Sequence, residues 1–142
     1  MKAARSPELE LLKRAAAALR KTTANPKEAE ATRRAALQTL VEAKAAGLPP
    51  LLRNLLADHV MRGPSLRALA AFSDADTPAV VLKHYREFND AENADAVATL
   101  ASRPTYAMAL LDAMGRGEVP TRDLSSFTAR QLLSFNDKIL TE

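Results

Sequence analysis

The stretch DTPAVVLKHYREF, residues 76–88, carries the pattern on which the predicted fold depends. After its Asp-Thr-Pro start, apolar side chains recur three and four positions apart, at Val81, Leu82, Tyr85 and Phe88. Proline suits the first turn of a helix because its φ is already helical and its missing N–H would be unbonded there. The stretch therefore predicts a helix that begins at Pro78 and buries one face.

The same signal recurs along the chain, where Pro7, Pro26, Pro50 and Pro104 also open stretches of helical apolar spacing. Asn25 precedes Pro26 as a ready cap, with Glu28 three positions later in an approximate capping box. Gly47 is the expected end of that helix. We predict that Pro50, Pro78 and Pro104 each lie in the first turn of a helix, and that the chain contains no strand.

Helices that restart in this way predict an all-α fold of about eight helices paired into antiparallel hairpins. The predicted helices cover 7–22, 26–46, 50–61, 65–72, 78–88, 90–101 and 104–114, and an eighth begins at 123 or 125 and ends at 135. Their inward faces are expected to include Ala94, Leu111 and Phe127. The pattern favours a single helical-repeat domain over residues 1–142, arranged as a short HEAT-like right-handed solenoid. A globular helical bundle is the alternative.

Composition excludes several classes of site. The chain has no cysteine, so it can form neither a disulfide nor a thiolate metal site, and it lacks a C-x-x-C-H haem attachment. The apolar runs are only a few residues long, so we expect no transmembrane helix. The N-terminus lacks the apolar core of a signal peptide, and the abrupt C-terminus favours a fragment of a longer protein.

The titratable residues form no recognisable active site. His59 and His84 stand 25 positions apart, not at the i, i+4 spacing of a helical metal pair. Asp74 and Asp76 alternate like calcium ligands, but the glycine and the distal glutamate of such a loop are missing. The serines belong to no catalytic motif. We therefore expect no catalytic residue, no metal, no bound cofactor and no enzymatic activity.

The two halves of the chain differ in charge. Residues 1–71 carry 13 Lys/Arg against 6 Asp/Glu, and residues 72–142 carry 7 against 11. A basic cluster on the first two predicted helices offers an alternative function, binding to nucleic acid through phosphates. Its members are Lys13, Arg14, Arg20, Lys21, Lys27, Arg33 and Arg34. Residues 1–71 contain no aromatic side chain on which a base could stack, so we rank nucleic acid below a scaffold role.

The second half also carries motifs of a known family. They are LRALAAF at 66–72, DTP at 76–78, LASRP at 100–104, ALLDA at 109–113, VP at 119–120, DLS at 123–125 and ARQL at 129–132. These segments resemble the helical region of the large heme-binding C-x-x-C-H proteins of planctomycetes, often called membrane-bound dehydrogenases. The likeness covers residues 66–142 well and 30–65 loosely.

The resemblance implies a HEAT-like region between a β-propeller and a C-terminal cytochrome c domain. It implies a non-catalytic scaffold whose partners are those two domains, in a periplasmic or exported protein. Because this chain contains neither domain, no haem ligand or catalytic residue is carried over. Within the matched LASRP motif, we expect Arg103 to serve structure by bonding the preceding hairpin, through a carbonyl or an acidic side chain such as Asp76.

Overall fold

The computed structural model describes residues 7–141, and their side chains apart from those at positions 8, 9, 12 and 136–141. Over this range the fold is all-α, as predicted, and no strand is present. Two 3₁₀ turns, Tyr85–Glu87 and Thr121–Asp123, lie between helices. The helices are α1 (Pro7–Ala24), α2 (Glu30–Glu42), α3 (Leu48–Leu55), α4 (Arg62–Leu69), α5 (Thr77–His84), α6 (Asp90–Leu100), α7 (Pro104–Gly115) and α8 (Ser126–Thr141).

The chain divides into two compact units between Leu51 and Leu52. In the first unit, α1 packs on α2. In the second unit, α4 packs on α6, while α7 contacts α5, α6 and α8. The core of the second unit is built mainly from leucine, alanine and valine, with Met61, Tyr85, Phe88 and Tyr106 as its larger members.

Three of the proline starts are confirmed. Pro50 is the third residue of α3, Pro78 the second of α5 and Pro104 the first of α7. In all three the proline lies in the first turn, where its missing N–H removes no helical hydrogen bond. These three prolines therefore mark the first turns of helices, as the sequence predicted.

The predicted start at Pro26 is wrong. Residues 26–28 form a turn, and α2 begins only at Glu30 after the N-cap Ala29. The Asn25 side chain accepts a hydrogen bond from the backbone N–H of Lys27 at 3.0 Å, so it closes an Asx turn instead of capping a helix. Glu28 therefore takes no part in a capping box.

A complete capping box stands at the start of α6. Asn89 Oδ1 accepts from the backbone N–H of Glu92 at 2.8 Å, and Glu92 Oε1 accepts from the backbone N–H of Asn89 at 2.9 Å. Two otherwise unbonded N–H groups are satisfied together. Glu92 is buried, so this box also fixes a carboxylate inside the second unit.

Three residues expected to face inward are exposed: Ala94, Leu111 and Phe127. Other residues predicted on the same inward faces are buried as expected, namely Leu100 in α6, Leu110 in α7 and Leu132 in α8. In α7 the adjacent Leu110 and Leu111 lie about 100° apart around the helix, and periodicity alone does not show which of them faces the core.

Two helices end in the same motif with different residues in the left-handed position. After α7, Gly117 (φ 78°) and Glu118 donate to the carbonyls of Met114 and Ala113, which is a Schellman motif. After α2, Lys44 (φ 53°) and Ala45 donate in the same way to Val41 and Leu40. The predicted stop at Gly47 is thus wrong, because α2 already ends at Glu42 and Lys44 takes the left-handed position.

This pair gives a stability test of the backbone. Gly117→Ala should lower the free energy of unfolding by about 1 kcal/mol, because the added Cβ disfavours positive φ although the space around it is open. Lys44→Gly should raise it by about 0.5–1 kcal/mol for the same reason. Urea unfolding followed by circular dichroism measures both, and a change of the same sign in the two variants would contradict the assignment.

Candidate functional site

Arginine side chains occupy the interior of both units. In the first unit, Arg33 is only 2% exposed, and its Nε donates to the carbonyl of Thr23 at 2.9 Å. That carbonyl lies in the last turn of α1, where helix carbonyls have no partner within the helix. Arg33 therefore stabilises the α1–α2 pair and is removed from the basic cluster predicted from the sequence.

Arg62 is the centre of a denser network in the second unit. Its Nε donates to the carbonyl of Leu56 at 3.1 Å, and its Nη1 donates to the carbonyl of Glu87 at 3.1 Å. The same guanidinium lies 3.6 Å from the Glu92 carboxylate and 5.5 Å from the centre of the Phe88 ring. One side chain thus connects the end of α3, the turn after α5 and the start of α6.

The prediction for Arg103 is confirmed in its geometry. Arg103 Nη2 donates to the carbonyl of Ala70, the C-cap of α4, at 3.4 Å. The predicted acidic option is not used, because Asp76 lies 3.7 Å from Arg53. Arg103 therefore bonds the hairpin that precedes it through a helix-end carbonyl.

Asp74 organises the turn between α4 and α5. Its carboxylate accepts from the Thr77 hydroxyl at 2.7 Å and pairs with Arg53 Nε at 3.0 Å. Its backbone N–H donates to the hydroxyl of Tyr106, which itself donates to the carbonyl of Phe72 at 2.5 Å. Asp74 therefore stabilises this turn. The sequence compared its carboxylate with a calcium ligand, but in the structure that carboxylate contacts the Thr77 hydroxyl and the Arg53 guanidinium.

The other members of the predicted basic cluster differ in exposure. Lys13, Arg14, Lys21 and Lys27 are exposed. Arg34 is also exposed and pairs with Glu30 at 2.9 Å. Arg20 is half-buried and donates to the carbonyl of Ala46. Of the seven predicted residues, four are thus exposed and Arg34 is exposed within an ion pair. The other two, Arg20 and Arg33, donate to backbone carbonyls.

The histidines occupy unrelated positions. His59 is exposed, whereas the His84 ring is 16% exposed with Nδ1 3.3 Å from the Glu87 carboxylate. Within the described residues, no three His, Asp or Glu side chains are grouped closely enough to hold a metal ion. Burial, together with a hydrogen bond to Asp123 at 2.6 Å, raises the pKa of Tyr85 above its ordinary value. This buried phenol is a hydrogen-bond donor that anchors the 3₁₀ turn at Thr121–Asp123.

An apolar groove lies between α7 and α8 in the second unit. We call it the α7–α8 groove; its volume is about 410 Å³, and it is lined by Leu111, Leu124, Ala129, Leu132 and Leu133. Leu133 is 62% exposed and Leu111 is 37% exposed, and Met108, one turn before Leu111, is 47% exposed. Exposed apolar side chains grouped in this way mark an interaction surface more often than single ones do.

Sequence reasoning missed this groove, although a signal was present. Pro104, Met108, Leu111 and Gly115 recur at spacings of four, three and four on α7. They form a second apolar stripe beside the buried one, which is the spacing of a helix that packs on another helix. The buried Arg62 left no comparable signal, because an arginine in a short helix is typical of an exposed surface.

Comparisons with known proteins returned no match: no family model, no curated protein and no solved structure is similar to this chain. The resemblance to the heme-binding family therefore stays an expectation drawn from the motifs. None of the helices within residues 7–141 combines the length and the apolarity that crossing a bilayer requires.

Arg103 provides the stability test of these helix-end contacts. Arg103→Ala should lower the free energy of unfolding by about 1–2 kcal/mol, because the Ala70 carbonyl loses its donor and the arginine stem loses its packing. Arg122→Ala, at an exposed position of the same unit, is the control and should change it by less than about 0.5 kcal/mol. Equal melting temperatures for Arg103→Ala and the unaltered chain would show that the contact contributes nothing.

Proposed function

We propose that the chain is a non-catalytic helical-repeat scaffold, of HEAT-like type, from a larger heme-binding dehydrogenase-like protein. In that setting it would position the cytochrome c domain relative to the propeller, in a periplasmic or exported protein. The observation that carries the proposal is the use of buried arginine, above all Arg62, to join helix ends. A scaffold requires fixed helix geometry, and such contacts supply it.

The chemistry of the interior agrees with a scaffold. The buried charged groups of the second unit bond to carbonyls and to each other, as in the Arg62–Glu92 pair at 3.6 Å. The Tyr106 hydroxyl and the Asp74 carboxylate are likewise engaged by neighbouring helices and turns. Side chains held in this way define an architecture, and the exposed apolar residues of α7 and α8 supply a surface for a partner.

The gene context tests the family setting directly. If the proposal is correct, the coding sequence continues beyond Glu142 into a segment with C-x-x-C-H, and a propeller precedes the helical region. A stop codon after Glu142, without C-x-x-C-H in the same reading frame, would remove the cytochrome setting. It would leave a scaffold of another kind.

A cofactor measurement tests the scaffold role itself. The purified chain should show no Soret absorbance and less than a tenth of an equivalent of transition metal. The physical reason is that it lacks cysteine and carries His59 and His84 on separate segments. Absorbance spectroscopy and elemental analysis check both expectations. A Soret band, or one equivalent of metal, would overturn the non-catalytic reading.

A second candidate function is phosphate-backbone binding by the first unit, favoured by the exposure of Lys13, Arg14, Lys21 and Lys27. If four of these side chains contact phosphates, affinity for duplex DNA should fall about a hundredfold between 50 and 200 mM salt. Fluorescence anisotropy measures this, with Arg14→Glu/Lys21→Glu as the weakened variant and Arg122→Glu as the control. No binding at 50 mM salt would end this alternative.

A further inference from the structure

We propose that the α7–α8 groove is a self-association surface whose occupant is the same surface of a second copy of this chain. The inference goes beyond the scaffold role and does not depend on the family setting. It is carried by the shape of the groove, by the exposure of its walls and by the charges on its two sides.

The groove has both parts that a self-complementary interface needs. Leu124, Ala129 and Leu132 line a recess, while the exposed Met108 and Leu111 form a ridge one helical turn long on α7. Ridges formed by residues three and four apart pack into grooves between the residues of a facing helix. In a two-fold dimer the ridge of each copy enters the recess of the other, because both copies present the same patch.

The charges beside the groove select a second copy. On α7 the exposed Asp112 follows the wall residue Leu111, and on α8 the exposed Arg130 follows the wall residue Ala129. Arg116, one turn after Asp112, is already paired with Glu118 at 2.8 Å. Among the described side chains, Asp112 therefore makes the α7 side of the groove acidic and Arg130 makes the α8 side basic. A two-fold axis along the groove exchanges the two sides, so that Asp112 of each copy faces Arg130 of the other.

The complementary pairing also sets the orientation. A two-fold axis across the groove would instead place Asp112 against Asp112 and Arg130 against Arg130, which is unfavourable. A partner with one net charge would likewise be attracted by one side and repelled by the other. The surface thus favours its own copy in one orientation.

Sedimentation equilibrium of the full chain, from micromolar to millimolar concentration, tests the proposal. We expect a reversible monomer–dimer equilibrium. Leu133→Glu should weaken the dimer at least tenfold, because it places a carboxylate on the apolar wall. Leu11→Glu is the matched control: Leu11 is also 62% exposed but lies in the first unit, so the dimer constant should not change.

A charge exchange distinguishes a second copy from other occupants. Asp112→Arg and Arg130→Asp should each weaken the dimer by roughly tenfold, because each creates two like-charge pairs across the two-fold axis. The double variant restores opposite charges and should recover the original affinity. A chain that stays monomeric up to about 1 mM, a dimer insensitive to Leu133→Glu, or a double variant as weak as the singles would overturn the proposal.

Discussion

The structure depends on satisfying the carbonyls at helix C-termini. The last four carbonyls of a helix have no hydrogen-bond partner within it. Because α3, α4 and α5 are only eight residues long, half of the carbonyls in each of these helices lack such a partner. Side chains from outside each helix donate to carbonyls in its last turn or just after it. The last-turn contacts are Arg33 to Thr23 and Thr99 to Leu66. Arg62 to Leu56 and Arg103 to Ala70 lie directly after a helix, and Arg62 to Glu87 and Tyr106 to Phe72 lie in the turns that follow.

Arginine suits this role for a physical reason. Its planar fork presents several donors in fixed directions, so one side chain can reach two carbonyls, as Arg62 does. The positive charge also lies against the negative ends of helices, which offsets part of the cost of burying it. In a core of leucine and alanine with few aromatic residues, such contacts join helices that are too short to be stable alone.

Local features of the fold were predictable, and distant ones were not. Proline and the Asn89 cap act within a single turn, so the starts at Pro50, Pro78 and Pro104 could be read from neighbouring residues. Asn25 does not cap α2, because its side chain accepts a hydrogen bond from the backbone N–H of Lys27 in the turn before that helix. The contact of Arg62 with Glu87 joins residues 25 positions apart and has no signature in spacing. Arg103 could be predicted to bond an earlier hairpin, because it stands beside Pro104 at a helix start, but its partner Ala70 could not.

The exposed leucines of α7 and α8 lie beside the side chains that face the core. In α7, Leu110 occupies the core position, which leaves Leu111 on the neighbouring stripe. A single exposed leucine needs no explanation, since folded proteins expose much apolar surface. Leu111 and Leu133, however, line one groove, and burying a leucine fully contributes about 1.5–3 kcal/mol. An interface that covers this groove would therefore gain from burying both leucines at once.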